Sequence, residues 1–223
     1  GCNSKTLWHE IFFQIVDIVT IKSRKDAIIL CKNFHTINTE LLDIFYGIHV
    51  SKIEKDGEVL STKPEPYFII DLPIENKPNM SIHDCFKKYC EGEKLEDDNA
   101  WFNDKINEKM DVDKKIVFWS LPKILVIDLK RFTPMGKKIQ VPLDIELDNL
   151  NLSEFVEGYD KSNYVYELYG VCNHSGGTLG GHYTASIKVK TGDWYLFNDT
   201  NVSKIDFDGK NNTSGYCLFY RKK

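Results

Sequence analysis

The chain has 223 residues, 42% of them hydrophobic and 28% charged, with a formal net charge of −4. That length supports one large domain, or a domain with a subdomain, around a core that needs no covalent staples. The charge balance points to neither nucleic acid nor an anionic membrane surface as a partner. The six cysteines, Cys2, Cys31, Cys85, Cys90, Cys172 and Cys217, are scattered, and no two form C-x-x-C. Such spacing is not a disulfide framework and implies a reducing compartment, cytoplasm or nucleus. No apolar run approaches the roughly 18–20 residues needed to span a bilayer. The first apolar stretch is interrupted by His9, Glu10 and Asp17, which a signal peptide would not tolerate.

In chain order, residues 7–19 place Leu7, Ile11, Phe12, Ile15, Val16 and Val19 at helical spacing, and 24–46 read as a second helix stopped at Gly47. The pattern then turns to strands. His49–Ile53 alternates, Lys55-Asp56-Gly57 makes a charged turn, and Tyr67–Leu72 reads as one strand. Residues 81–90 form a short predicted helix, with Ser81 as its N-cap and Asp84 at N3. Asp97-Asp98-Asn99 reads as a turn, and the polar stretch 102–115 as a solvated face or loop. Lys123–Leu129 is a nearly unbroken apolar run, as in the middle of a covered sheet. Further strands are predicted over 164–172, 182–188, 194–197 and 216–220, punctuated by Ser175-Gly176-Gly177 and Thr191-Gly192-Asp193. The predicted fold class is α+β, helices first and an antiparallel sheet after them.

The chemistry concentrates in 164–199. Cys172-Asn173-His174-Ser175-Gly176-Gly177 is followed by Gly180-Gly181-His182-Tyr183-Thr184-Ala185, then by Trp194 and Phe197-Asn198-Asp199. Thiol or hydroxyl hydrolysis needs a histidine to take the nucleophile's proton and a third group to fix that histidine's tautomer. A strand, a tight turn and a returning strand separate His182 from Asn198, the right span to set them side by side. The paired glycines before His182 are expected to allow an unusual backbone conformation and a close approach of a peptide.

These blocks resemble the ubiquitin-specific proteases, papain-like cysteine deubiquitinases. The histidine box of that family is similar to Asn173–Gly176 with Gly181–Ala185, and its third-member box to Trp194, Phe197-Asn198-Asp199 and Val202. The resemblance extends to Tyr216–Arg221, to Leu121-Pro122 with Leu125 and Leu129–Phe132, to Glu65-Pro66-Tyr67, and to Glu93, Leu95 and Asp98-Asn99. It implies a papain-like fold with N-terminal helices and an antiparallel palm sheet with a fingers extension. Residues 1–223 would form the catalytic domain, its thumb truncated or missing: 1–47 helical, 48–120 fingers-like and 121–223 the palm. By the same resemblance His182 is the general base, Asn198 orients it and Asp199 supports them. Ser175, Gly176 and Gly177 would lie on a mobile loop near the substrate's tail, Gly180 and Gly181 would line a narrow channel for the terminal Gly-Gly of ubiquitin, and Tyr183 would pack beside the tail. The implied partners are ubiquitin and ubiquitinated proteins, and no cofactor is implied.

Two departures from the family pattern stand out. The cysteine box that supplies the nucleophile is not present as such. Its nearest counterpart is Gly1-Cys2-Asn3-Ser4 before a predicted helix, where a helix N-terminus would lower a thiol's pKa. The two C-x-x-C pairs with which many family members bind zinc in the fingers are also missing, so no structural zinc is expected. Three functions follow: hydrolysis after the C-terminal glycine of ubiquitin, ubiquitin binding without catalysis, or the same chemistry on another ubiquitin-like modifier.

Overall fold

The computed structural model describes residues 42, 44–158, 161, 163–178 and 180–223. All but Leu42 belong to one compact unit, Asp43–Lys223. The helix expected over 7–19, nearly all of that over 24–46, and Cys2 lie outside the described residues.

The strands are β1 (Gly47–Lys55), β2 (Glu58–Tyr67), β3 (Ile69–Leu72), β4 (Met80–Ser81), β5 (Glu93–Leu95), β6 (Trp101–Asn103), β7 (Glu108–Met110), β8 (Val112–Ser120), β9 (Ile124–Leu129), β10 (Leu143–Asp144), β11 (Leu150–Asn151), β12 (Val165–Gly177), β13 (Gly180–Lys188), β14 (Trp194–Asn198), β15 (Asn201–Ile205) and β16 (Gly215–Lys222). One helix of nine residues, α1 (Ile82–Cys90), follows β4. The large sheet runs β15-β14-β13-β12-β16-β9-β3, with β11 alongside β12. Its neighbours are antiparallel except β3 and β9, which run parallel. A smaller sheet, β2-β1-β8-β5, is antiparallel throughout. The stretch 48–120 therefore contributes strands to both sheets.

Alternation decides which face each strand of the large sheet buries. Ile70 and Leu72 of β3, Leu125, Ile127 and Leu129 of β9, and Leu218 and Tyr220 of β16 all enter one apolar cluster. The predicted strand over 67–72 is in fact two strands. Tyr67 ends β2 opposite Gly47, whereas Ile69 starts β3 opposite Val126. The chain changes sheets at Phe68. The apolar run Tyr67–Ile70 carries straight through this point and hides the break, although the buried positions change parity from Tyr67 to Ile70 and Leu72.

Helix α1 has the expected start. Ser81 Oγ accepts from the Asp84 N–H at 3.1 Å, and the Asp84 carboxylate accepts from the Ser81 N–H at 2.9 Å. Two orphan donors are thus satisfied reciprocally. Ile82, Cys85 and Phe86 form its buried face, and Phe86 packs edge-on to Phe118 and stacks on Phe155. Burying one such phenylalanine contributes about 2–3 kcal/mol. The stretch read as a solvated face or loop, 102–115, holds the end of β6, all of β7 and the start of β8, and most of it is exposed. Within 102–115 these strands are charged on their exposed positions and bury only Asn103 and Val112, so the apolar alternation that announces a strand is missing.

Candidate active site

His182 is the third residue of β13, and Asn198 is the last of β14. The two strands are antiparallel neighbours, in register from Ala185 opposite Phe197 to Lys188 opposite Trp194. This register brings His182 Nε2 within 2.6 Å of Asn198 Oδ1. Asp199 follows, with φ of 51°, and Asn198 pairs with Asn201 across the tight turn it begins. Aspartate tolerates that left-handed conformation better than most residues. The turn carries the Asp199 carboxylate to 3.8 Å from the same His182 Nε2. Both groups facing Nε2 accept hydrogen bonds, so Nε2 is the nitrogen that carries the proton in neutral His182. Nδ1 then keeps its lone pair and is the basic nitrogen. The sequence-predicted trio is therefore brought together, and its geometry selects the tautomer.

His182 is 49% and Asp199 75% exposed at the side chain, so neither is enclosed by the described residues. His182 rides near the tip of the β12–β13 hairpin, which stays paired out to Gly177 opposite Gly180. Ser175, Gly176 and Gly177 are therefore the end of strand β12 rather than a loop. Gly176, at φ of 110°, makes this possible: a Cβ there would stand 2.7 Å from both the Gly180 carbonyl oxygen and Gly181 Cα. The paired glycines before His182 differ from expectation, since neither has a positive φ. Gly181 is required for space, because a Cβ would overlap the ring Nε2 of His174 and the carbonyl oxygen of Ser175. Gly180 faces open space. Ser175 Oγ donates to the His182 carbonyl at 3.4 Å, and Tyr183, exposed, lies over the His174 ring with centroids 4.7 Å apart.

Sequence reasoning missed what stands behind these residues. His174 is buried, with its ring among Phe132, Tyr183 and Tyr216. Burial, then the nearby Lys138 ammonium, holds its pKa below the ordinary histidine value. Lys138 donates to the His174 carbonyl. Arg131 is 0% exposed and donates only to carbonyls: Gly215 at 2.6 Å, Ile139 at 3.2 Å, and Val141 and Asn212 at 3.0 Å. Burial lowers its pKa to about 10. A buried guanidinium satisfied by carbonyls is a clamp on the two segments it joins. Composition places arginine outside, so only the apolar residues before it hinted at this.

The described cysteines show none of the environment a nucleophile needs. Burial pushes Cys85, Cys90 and Cys217 up to about 12 and raises Cys172. Thiolate chemistry requires the opposite shift. No group of three or more metal-ligating side chains occurs among the described residues.

A family model described as ubiquitin carboxyl-terminal hydrolase matches residues 8–220. The chain belongs to this family. Within it, the resemblance to ubiquitin-specific proteases extends to individual relatives. The chain is 33% identical over 204 residues to ubiquitin carboxyl-terminal hydrolase 9 of Arabidopsis thaliana, covering 85% of this chain and 22% of that protein. It is 37% identical over 194 residues to ubiquitin carboxyl-terminal hydrolase 21 of Mus musculus, covering 82% of this chain and 34% of that protein. The chain thus spans between about a fifth and a third of the length of these relatives. The solved SAGA deubiquitinating module of Ubp8, Sgf11, Sus1 and Sgf73 bound to monoubiquitin superposes with a TM-score of 0.73 at 24% identity. That match covers 99% of this chain and 48% of the other, and it shows a shared papain-like α+β fold.

Proposed function

We propose that the protein hydrolyses the isopeptide or peptide bond after the C-terminal glycine of ubiquitin by thiol catalysis. The observation that carries this reading is the 2.6 Å contact of His182 Nε2 with Asn198 Oδ1, which leaves Nδ1 free to take a thiol's proton. The thiolate attacks the carbonyl, His182 passes its proton to the leaving amine, and water, activated by the same Nδ1, releases the acyl group. Asn198 and Asp199 hold the imidazole and favour the imidazolium that forms. Membership of a hydrolase family named for ubiquitin's carboxyl terminus supports the substrate, as does a fold relative solved with monoubiquitin. Gly180 and Gly181 fit a channel wall made without side chains, which admits a Gly-Gly tail and excludes bulkier ones. Ubiquitin and ubiquitinated proteins are the proposed partners, and free thiols at Cys85, Cys90, Cys172 and Cys217 suit the cytoplasm or nucleus.

Cys2, ahead of a predicted helix, is the proposed nucleophile. The test is labelling by ubiquitin that carries a C-terminal thiol-reactive warhead, read by intact and peptide mass spectrometry. One adduct on Cys2, lost in His182→Ala, is expected. Bound ubiquitin with no adduct would make this chain a ubiquitin-binding module or a part whose nucleophile is supplied from outside it, and an adduct formed only by another ubiquitin-like modifier would change the substrate.

A further inference from the structure

The hairpin that carries His182 is exposed from Ser175 to Tyr183, among its described residues, so its aim depends on what grips its base. Asn173, buried on β12 just before that exposed tip, pairs through its backbone with Thr184 of β13 on one side and with Gly215 of β16 on the other. Its side chain reaches from β13 to the residue just before β16. Nδ2 donates to Ser186 Oγ at 3.1 Å, and Oδ1 accepts from Ser214 Oγ at 3.2 Å. Ser186 is itself buried. Ser214 is fixed in turn: its carbonyl accepts the His174 N–H at 2.8 Å, and its N–H donates to Asn212 Oδ1 at 3.2 Å. The carbonyls of Asn212 and Gly215, on either side of it, are those Arg131 holds. A continuous line of hydrogen bonds thus runs from the buried guanidinium through Ser214 and Asn173 to the strand bearing His182. Asn173, Ser186 and Ser214 also line, with His182, a cleft of about 270 Å³.

We propose that Asn173 is a positioning residue for His182, its carboxamide locking the β12–β13 register so that the imidazole at the tip meets Asn198. This rests on the proposed thiol hydrolysis for its kinetic consequence but not for its geometric one. An amide suits the task because it donates on one side and accepts on the other; a valine of similar size would leave the buried Ser186 hydroxyl and the part-buried Ser214 hydroxyl without this partner.

The test uses the full chain with Asn173→Ala, Ser186→Ala and the double variant. Hydrolysis of ubiquitin bearing a C-terminal fluorogenic amide is measured alongside ring-nitrogen NMR of His182. The expected result is a kcat about tenfold lower in Asn173→Ala with KM within twofold, and a double variant no slower than the worse single one, as for residues acting as a unit. The His182 ring signals should shift from a single Nε2-protonated tautomer to a mixture. Unchanged ring signals in a folded Asn173→Ala protein would overturn the proposal, as would a double variant whose losses multiply. Should Asn173→Ala fail to fold, Ser186→Ala, which removes one link, carries the same readouts. Wild-type protein without hydrolytic activity would refute the proposed function, while the ring spectra would still decide the positioning role.

Discussion

In the large sheet, neighbouring strands place their inward residues against one another, so that Ile70, Leu125, Ile127, Leu129, Val171 and Leu218 form part of one continuous cluster. In the small sheet the buried residues stand singly. β1 buries every third position, Gly47, Val50 and Ile53, and neither Val50, Ile53 nor Val112 of β8 joins that cluster. Tyr67 and Phe118, at the base of the small sheet, do join it. The large sheet is thus held by its own core and the small one by attachment at one end. The His182–Asn198 pair is found on the first, where a backbone fixed by packing can aim side chains.

The largest expected effect is on chemistry alone. His182→Ala should lower kcat at least about 10³-fold, and Asn198→Ala about 10²-fold, with melting temperatures unchanged. Loss of folding in either would show that the hairpin tip is part of the core after all. Next, Phe118→Ala, cutting the point where the sheets join, should cost about 3–5 kcal/mol in urea unfolding. Ile53→Ala should leave the global midpoint nearly in place and speed hydrogen exchange in β1, β2 and β8 only. Equal global losses from the two would erase the distinction between the sheets. Within the large sheet, Gly181→Ala should destabilise by about 1–3 kcal/mol through overlap with His174, and Gly180→Ala by less than about 0.5 kcal/mol. Lost activity in the stable Gly180→Ala protein would locate the glycine channel.

The smallest effects are of opposite sign in the two sheets. Asp128 of β9 pairs in register with Asp71 and lies opposite Cys217. Burial, then the Asp71 charge, raises its pKa to about 6. The folded protein therefore binds this proton more tightly than the unfolded chain. Its contribution is complete below the ordinary carboxylate pKa and is lost as pH rises through about 6. Asp128→Asn should add about 1 kcal/mol at pH 7.5, given partial screening, and nothing at pH 4. His49 of β1 behaves the other way. Burial, opposed by Glu65, holds its pKa below 6.5, so its stabilisation is present above that value and lost as pH falls. His49→Gln should flatten the acid side of the stability profile, as measured by urea midpoints from pH 5 to 8.

Much of this was legible before the structure. The strands around Leu125, Tyr166 and Leu218 advertise themselves by runs of apolar and aromatic residues, α1 by Ser81 and Asp84, and the His182–Asn198 pairing by a strand-turn-strand span. Strands facing water on both sides were not legible, because nothing in Glu108–Met110 or Asn201–Ile205 repeats with a period of two. Nor was the support of the site. Arg131, Asn173 and Ser214 owe their roles to carbonyls and hydroxyls brought from distant segments, and no local pattern encodes such partners.

The alternation of the chain between sheets has a consequence in time. β1 and β2 can close as a hairpin when they leave the ribosome, but β3 has no partner until β9 is made, since Ile69 must wait for Val126. At ordinary elongation rates that interval lasts on the order of several seconds, far longer than local structure takes to form. During it an apolar strand stands without its neighbour, so the chain is open to mispairing while the segment between β3 and β9 is being made.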